Sequence, residues 1–112
     1  GQAEAWLHRA IAEAPHLREP YLDYARLLYA QQRWHGLIDV VRQALAITER
    51  PRTYVCEADA WGALPYDSLS IAYARLGDAD AAADACRKAV ELSPDEERLR
   101  RNLAIFEQLR TP

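Results

Sequence analysis

The 112 residues are half hydrophobic and 28% charged, which suits one folded domain and excludes the charge-rich, apolar-poor composition of a disordered chain. A net charge of −3 argues against a nucleic-acid partner, and no run of about 18 apolar residues is present to cross a bilayer. Of the 14 cationic residues all but Lys88 are Arg, the usage expected of a GC-rich bacterial genome.

Alanine, the best helix former, occurs 21 times against only 4 glycines. The expected elements are accordingly helical. The first covers 2–14, with Ala3, Leu7, Ala10 and Ile11 on one face and Pro15 beyond its end. The second covers 18–31, where Tyr21, Tyr24, Ala25 and Leu28 recur at three- and four-residue steps behind Pro20. Gln32 and Arg33 form the turn into a third helix at 34–48, carrying Trp34, Leu37, Val41, Ala44 and Leu45. Pro51 and Pro65 then bracket "RTYVCEADAWG", in which "EADAW" has room for one helical turn. Tyr54 and Trp61 in this stretch have two readings: they plug a gap in the core, or they form a binding ledge or a contact between copies.

The fourth long helix is expected at 65–76, with Tyr66, Leu69, Ser70, Tyr73 and Leu76 at helical spacing. Gly77 ends it as a left-handed residue, and Asp78 caps the next helix at 79–92. Ala82, Cys86, Ala89 and Val90 form that helix's apolar face, and the alanines let two backbones approach closely. A last helix is expected at 95–110: Ser93 as cap, Pro94 in the first position and Glu96 closing a capping box. Leu99, Leu103, Phe106 and Leu109 line one side of it.

The hairpin recurs. Ala10 and Ala44 stand 34 residues apart, and Ala44 and Ala89 stand 45 apart, one period plus an insertion of 11. The best-formed unit carries Tyr66, Leu69, Ser70, Tyr73, Gly77, Asp78, Ala82, Ala89 and Pro94, and in these positions it resembles the tetratricopeptide repeat. The resemblance implies an all-α fold of about six helices in stacked antiparallel hairpins, coiled as a right-handed superhelix. It divides the chain into a half repeat at 2–17, a repeat at 18–51, an insert at 52–62, a repeat at 63–96 and a C-terminal capping helix at 95–110. Residues 18–51 depart from the pattern at Leu37, where alanine is usual, and at Pro51, which falls late. Three phrases, "LREPYLDYARLLYAQQRW", "ALAITERPRTYVCEADAWGALPYD" and "AVELSPDEERLRRNL", are similar to the repeat region that follows a family 2 glycosyltransferase domain in certain bacterial proteins. With no Met and a half unit at its start, the chain is expected to be a piece of a longer protein.

No catalytic constellation is expected. His8, His16 and His35 lack metal-ligand spacing, the three serines lie in no nucleophile motif, and the acids Glu57, Asp59 and Asp67 read as a solvated loop. No cofactor, metal or catalytic residue is therefore expected, and the chain reads as non-catalytic. Cys56 and Cys86 form no paired motif and read as reduced, half-buried thiols of a cytoplasmic protein, a disulfide or a metal role being the alternative. What remains is surface. In a hairpin stack the first helices line the concave side. The candidate binding residues there are Leu22, Arg26 and Tyr29 on one helix and Asp67, Ile71 and Arg75 on the next, with Tyr54 and Trp61 as candidates in the insert. Some members of the family grip a peptide carboxylate with Lys and Asn on this stripe; Leu22, Arg26, Asp67 and Ile71 stand here instead, which argues against that mode. The expected partner is a protein or peptide, with neither nucleic acid nor membrane. Pairing of two copies is expected through an apolar edge of Trp6, Leu7 and Ile11. The alternative is a spacer or oligomerisation segment with no ligand of its own.

Overall fold

A computed structural model describes residues 2–49 and 58–110. Its elements are α1 (Gln2–Glu13), α2 (Arg18–Ala30), α3 (Trp34–Leu45), the single turn α4 (Ala58–Trp61), α5 (Leu64–Arg75), α6 (Ala79–Leu92) and α7 (Glu97–Leu109). No strand occurs among the described residues. The six long helices are those the alanine-rich periodicity predicts, within a few residues at each end, and the fold is an all-α helical repeat.

Both hairpins turn by the same device. At the second, the Asp78 N–H donates to Tyr73 O (2.9 Å) and the Gly77 N–H to Ala74 O (3.1 Å). At the first, the Arg33 N–H donates to Leu28 O (2.9 Å) and the Gln32 N–H to Tyr29 O (3.0 Å). These are paired Schellman bonds around a left-handed residue. Gly77 adopts φ +85° at no steric cost, whereas Gln32 is held at φ +57° despite its Cβ. Asp78 then caps α6 by accepting from the Ala81 N–H (3.1 Å), a service Arg33 does not give α3.

The close helix contacts are built on small residues. Ala44, Ala82 and Ala89 are all fully buried. Ala82, Ala83 and Cys86 of α6 pack with Phe106 of α7, with Tyr73 and Ala74 of α5 alongside. Leu28, Leu37, Val41, Ala44 and Ala72 lie in a second, larger cluster that joins α2, α3 and α5. Burying each of its large aliphatic side chains contributes roughly 1.5–3 kcal/mol. Leu37, where the repeat pattern expects alanine, is fully buried and simply fills the space.

Arg18 holds the corner where the first hairpin meets α4. Although its side chain is buried, Nε donates to Ile47 O (2.9 Å) and Nη1 to Ala60 O (3.1 Å). The guanidinium lies 3.9 Å from the Trp61 ring centroid, a stacked cation–π contact. Burial lowers the guanidinium's pKa, and these partners keep the charge tolerable.

Three expectations are corrected. α7 begins at Glu97 rather than 95, and no side chain caps it. Ser93, Pro94 and Asp95 instead form a turn closed by the Glu96 N–H on Ser93 O (3.2 Å), while Arg100 Nη1 donates to Pro94 O (2.5 Å). The apolar edge of α1 is also narrower than expected. Trp6 is exposed, but Leu7 is buried and Ile11 packs on the core, because both lie on the α2 side of α1. Leu109, read as part of the packed face of α7, is 65% exposed.

Candidate functional site

Between the two hairpins, α5 packs on α3 and touches α2 at few points. A cleft of about 300 Å³ is left between α2 and α5. Leu22 and Ala25 supply its apolar α2 wall and Leu64 and Ser68 face them from α5, with Arg26 and Tyr29 exposed at the margin. The Tyr29 ring stands edge-on to Trp34 at 5.3 Å, and the Arg75 guanidinium lies 6.0 Å from the Trp34 centroid. An aromatic pair flanked by an Arg thus borders the cleft.

The structure sorts the sequence candidates. Arg26 and Tyr29 are exposed and line this cleft, and Leu22 lines it from a largely buried position. Ile71 is half-buried and Arg75 exposed. Asp67 does not belong to this face. It is buried, and its Oδ1 and Oδ2 accept from Arg98 Nη1 (3.3 Å) and Nη2 (2.5 Å) on α7. One residue on an α-helix is about 100° of rotation, so Ser68 rather than Asp67 meets the α2 side. The spacing of Leu64, Ser68, Ile71 and Arg75 is the signal that would have found this stripe. Asp67 raises the pKa of Arg98 through its hydrogen bonds and locks α7 to the start of α5. Trp61 is half-buried against Arg18 and packs on the core. Tyr54 lies outside the described residues, as do Cys56 and Glu57.

A second and larger cleft, about 580 Å³, lies on another face, between α3 and α6 with α5 as its floor. Tyr66 and Tyr73, which share helical spacing with the buried Leu69, both line this cleft and are half-buried. At the α1 end, the Tyr24 hydroxyl donates to Glu4 Oε1 (2.5 Å) and, its proton spent there, accepts from His8 Nε2–H at 3.1 Å. The His8 and Tyr24 rings meet edge-on at 4.9 Å, and Arg33 Nη1 lies 3.4 Å from the same carboxylate oxygen. The Tyr24 hydrogen bond, helped by Arg33, lowers the Glu4 pKa, and the same bond raises that of Tyr24. These groups dock α1 on α2. The Cys86 thiol is buried and donates to Leu99 O (3.4 Å); burial pushes its pKa up, away from the reactive thiolate. Among the described residues no three of His, Cys, Asp and Glu gather as a metal site. No helix among them is long and apolar enough to cross a membrane.

The segment from α5 into α7 unites a Gly-Asp turn, buried small residues on α6 and a third helix packed behind. Residues 65–106 match the tetratricopeptide repeat. The match spans the α5–α6 hairpin of the repeat and runs into α7 as far as the buried Phe106. No curated protein matches the chain. Tetratricopeptide repeats typically serve as protein-interaction surfaces.

Proposed function

We propose that this chain is a non-catalytic binding module that takes an extended segment of a partner protein in the α2–α5 cleft. The observation that carries the reading is the gap itself. Because α5 seats on α3, α2 keeps an apolar wall of Leu22 and Ala25 open beside the exposed Arg26 and Tyr29. Apolar walls bind side chains, while an Arg and a Tyr at the margin order a peptide backbone or carboxylate by hydrogen bonds. The test is a screen of extended peptides followed by amide chemical-shift mapping. Binding that shifts Ala25, Tyr29 and Ser68 and weakens about tenfold in Arg26→Glu or Tyr29→Ala supports the reading. Peptides that leave these amides unmoved overturn it.

The similarity of the three quoted phrases supports a setting beside a bacterial, cytoplasmic glycosyltransferase domain, with the half repeat, two repeats, insert and capping helix as one domain of that larger protein. A nucleotide-sugar-binding domain encoded directly upstream is the expected finding; an unrelated neighbour refutes it. Trp6, 65% exposed on α1, supports self-association through that edge, which light scattering of wild type and Trp6→Glu tests.

A further inference from the structure

We propose that the trough between α3 and α6 is a second docking site, fitted to an acidic segment of a partner protein that carries one large apolar side chain. This goes beyond the α2–α5 reading and stands independently of it, on another face of the stack.

α3 and α6 do not pack on each other; α5 lies between them and forms the floor. Along α6 the lining runs from Ala81 to Lys88, and along α5 from Tyr66 to Tyr73. Seven residues of helix rise about 10 Å, which matches about three residues of extended chain. The volume of about 580 Å³ falls within the usual ligand range of roughly 300–1,000 Å³. The trough is open along its length, and an open trough covers one side of a ligand only. That geometry suits a passing polypeptide better than a small molecule, which binds where most of its surface is enclosed.

The chemistry follows from the floor and the rims. Leu69 and Ala85 are buried at the bottom and Leu45 is half-buried, which gives one apolar side chain a place to sit. Arg42 stands on the α3 rim and Lys88 on the α6 rim, both exposed. Arg42 has no ion-pair partner among the described residues, and Lys88 reaches Glu91 at 3.8 Å in an exposed pair of little strength. One carboxylate, Asp84, also lines the trough; Arg87 at 3.1 Å and Arg110 at 3.8 Å face it and draw part of its charge away from the slot, although both are shared with Glu107 and Arg110 also with Asp80. Two exposed cations, Arg42 unpaired among the described residues and Lys88 only weakly paired, therefore flank an apolar slot on a chain whose net charge is −3. Charge complementarity selects acidic residues on either side of the anchor. Two cations are too few for a nucleic-acid backbone, whose binding rests on many phosphate contacts.

The experiment is a selection of displayed random dodecapeptides on the intact chain, counter-selected with the double variant Arg42→Glu/Lys88→Glu. The expected outcome is enrichment of peptides with Asp or Glu around one Leu, Phe or Trp. Their affinity should fall at least about tenfold in the double variant, less in Arg42→Gln/Lys88→Gln, and should weaken with added salt. Arg26→Glu should leave it unchanged. Both rim residues are exposed, so circular dichroism of the variants should match wild type. The proposal is overturned if no acidic sequence is enriched, or if the enriched peptides bind the double variant as well as wild type. Acidic peptides that instead lose affinity in Arg26→Glu also overturn it, while leaving the α2–α5 reading standing.

Discussion

Replacing Arg18 by methionine keeps most of the side-chain volume and removes its donors. Two hydrogen bonds from a charged group are lost, at 2.9 Å to Ile47 O and 3.1 Å to Ala60 O. Each such bond is worth about 1.5–3 kcal/mol, and a buried carbonyl left without a donor costs about 1–3 kcal/mol. The stacked contact with Trp61 adds about 1–2 kcal/mol when shielded from water. Against these stands the relief of no longer burying a cation, the same burial that lowers the Arg18 pKa. The balance is a loss of about 2–3 kcal/mol. In a domain of this size that is a fall in Tm of roughly 10 °C. Urea unfolding followed by far-UV circular dichroism measures it, with exposed Arg26→Met as a control expected within about 0.5 kcal/mol of wild type. A value for Arg18→Met within that same margin would refute the reasoning, because it would mean that the corner is held by apolar packing alone.

The two turns differ by one residue type at the same left-handed position. Gln32→Gly should stabilise the protein by about 0.5–1 kcal/mol, and Gly77→Ala should destabilise it by about 1 kcal/mol. A Cβ at position 77 meets nothing within 4 Å, so that loss isolates backbone strain. Thermal melts of the two variants decide it, and a shift of the same sign in both would contradict the turn geometry. Tyr24→Phe tests the Glu4 cluster through pH. The Glu4 pKa is lowered in the fold, so its contribution is present above the ordinary carboxylate range and fades as pH falls through the lowered value. Tyr24's pKa is raised, so its contribution is present below the ordinary phenol range and fades as pH rises through the raised value. The difference in urea midpoint between wild type and Tyr24→Phe should thus peak near neutral pH and shrink on both sides. A pH-independent difference would assign Tyr24 to packing alone.

The helices and their order were legible because every cue agreed: alanine content, three- and four-residue periods, a Gly-Asp turn and a 34-residue recurrence. Gln32 was read as a turn residue by its place in the repeat, although its own preferences argue against φ +57°. Of the residues expected on the concave stripe, Arg26 and Tyr29 line the α2–α5 cleft, whereas Asp67 on α5 is off that side by one residue. A one-residue error turns a side chain by about 100°, enough to move it from the α2 side to Arg98 on α7. Arg18 gave no signal at all. Its partners are backbone carbonyls 29 and 42 positions away, and carbonyls carry no sequence mark. The α3–α6 trough was hidden for a related reason. Tyr66 and Tyr73 have core spacing, and only the way α5 seats between α3 and α6 leaves one side of each open. Likewise "SPDE" has the composition of a helix start, but the hydrogen bonds at Ser93 and Pro94 spend it on a turn.

Close pairing of helices across buried alanines underlies the hairpins and, through them, both clefts. It is measured most directly by the urea stability of Ala82→Leu against that of Ala104→Leu on the exposed side of α7. Ala82 has no accessible surface, so three added carbons should cost at least about 1–3 kcal/mol by overpacking, while Ala104→Leu stays within about 0.5 kcal/mol of wild type. Equal stabilities for the two variants would mean that α5, α6 and α7 do not meet at Ala82.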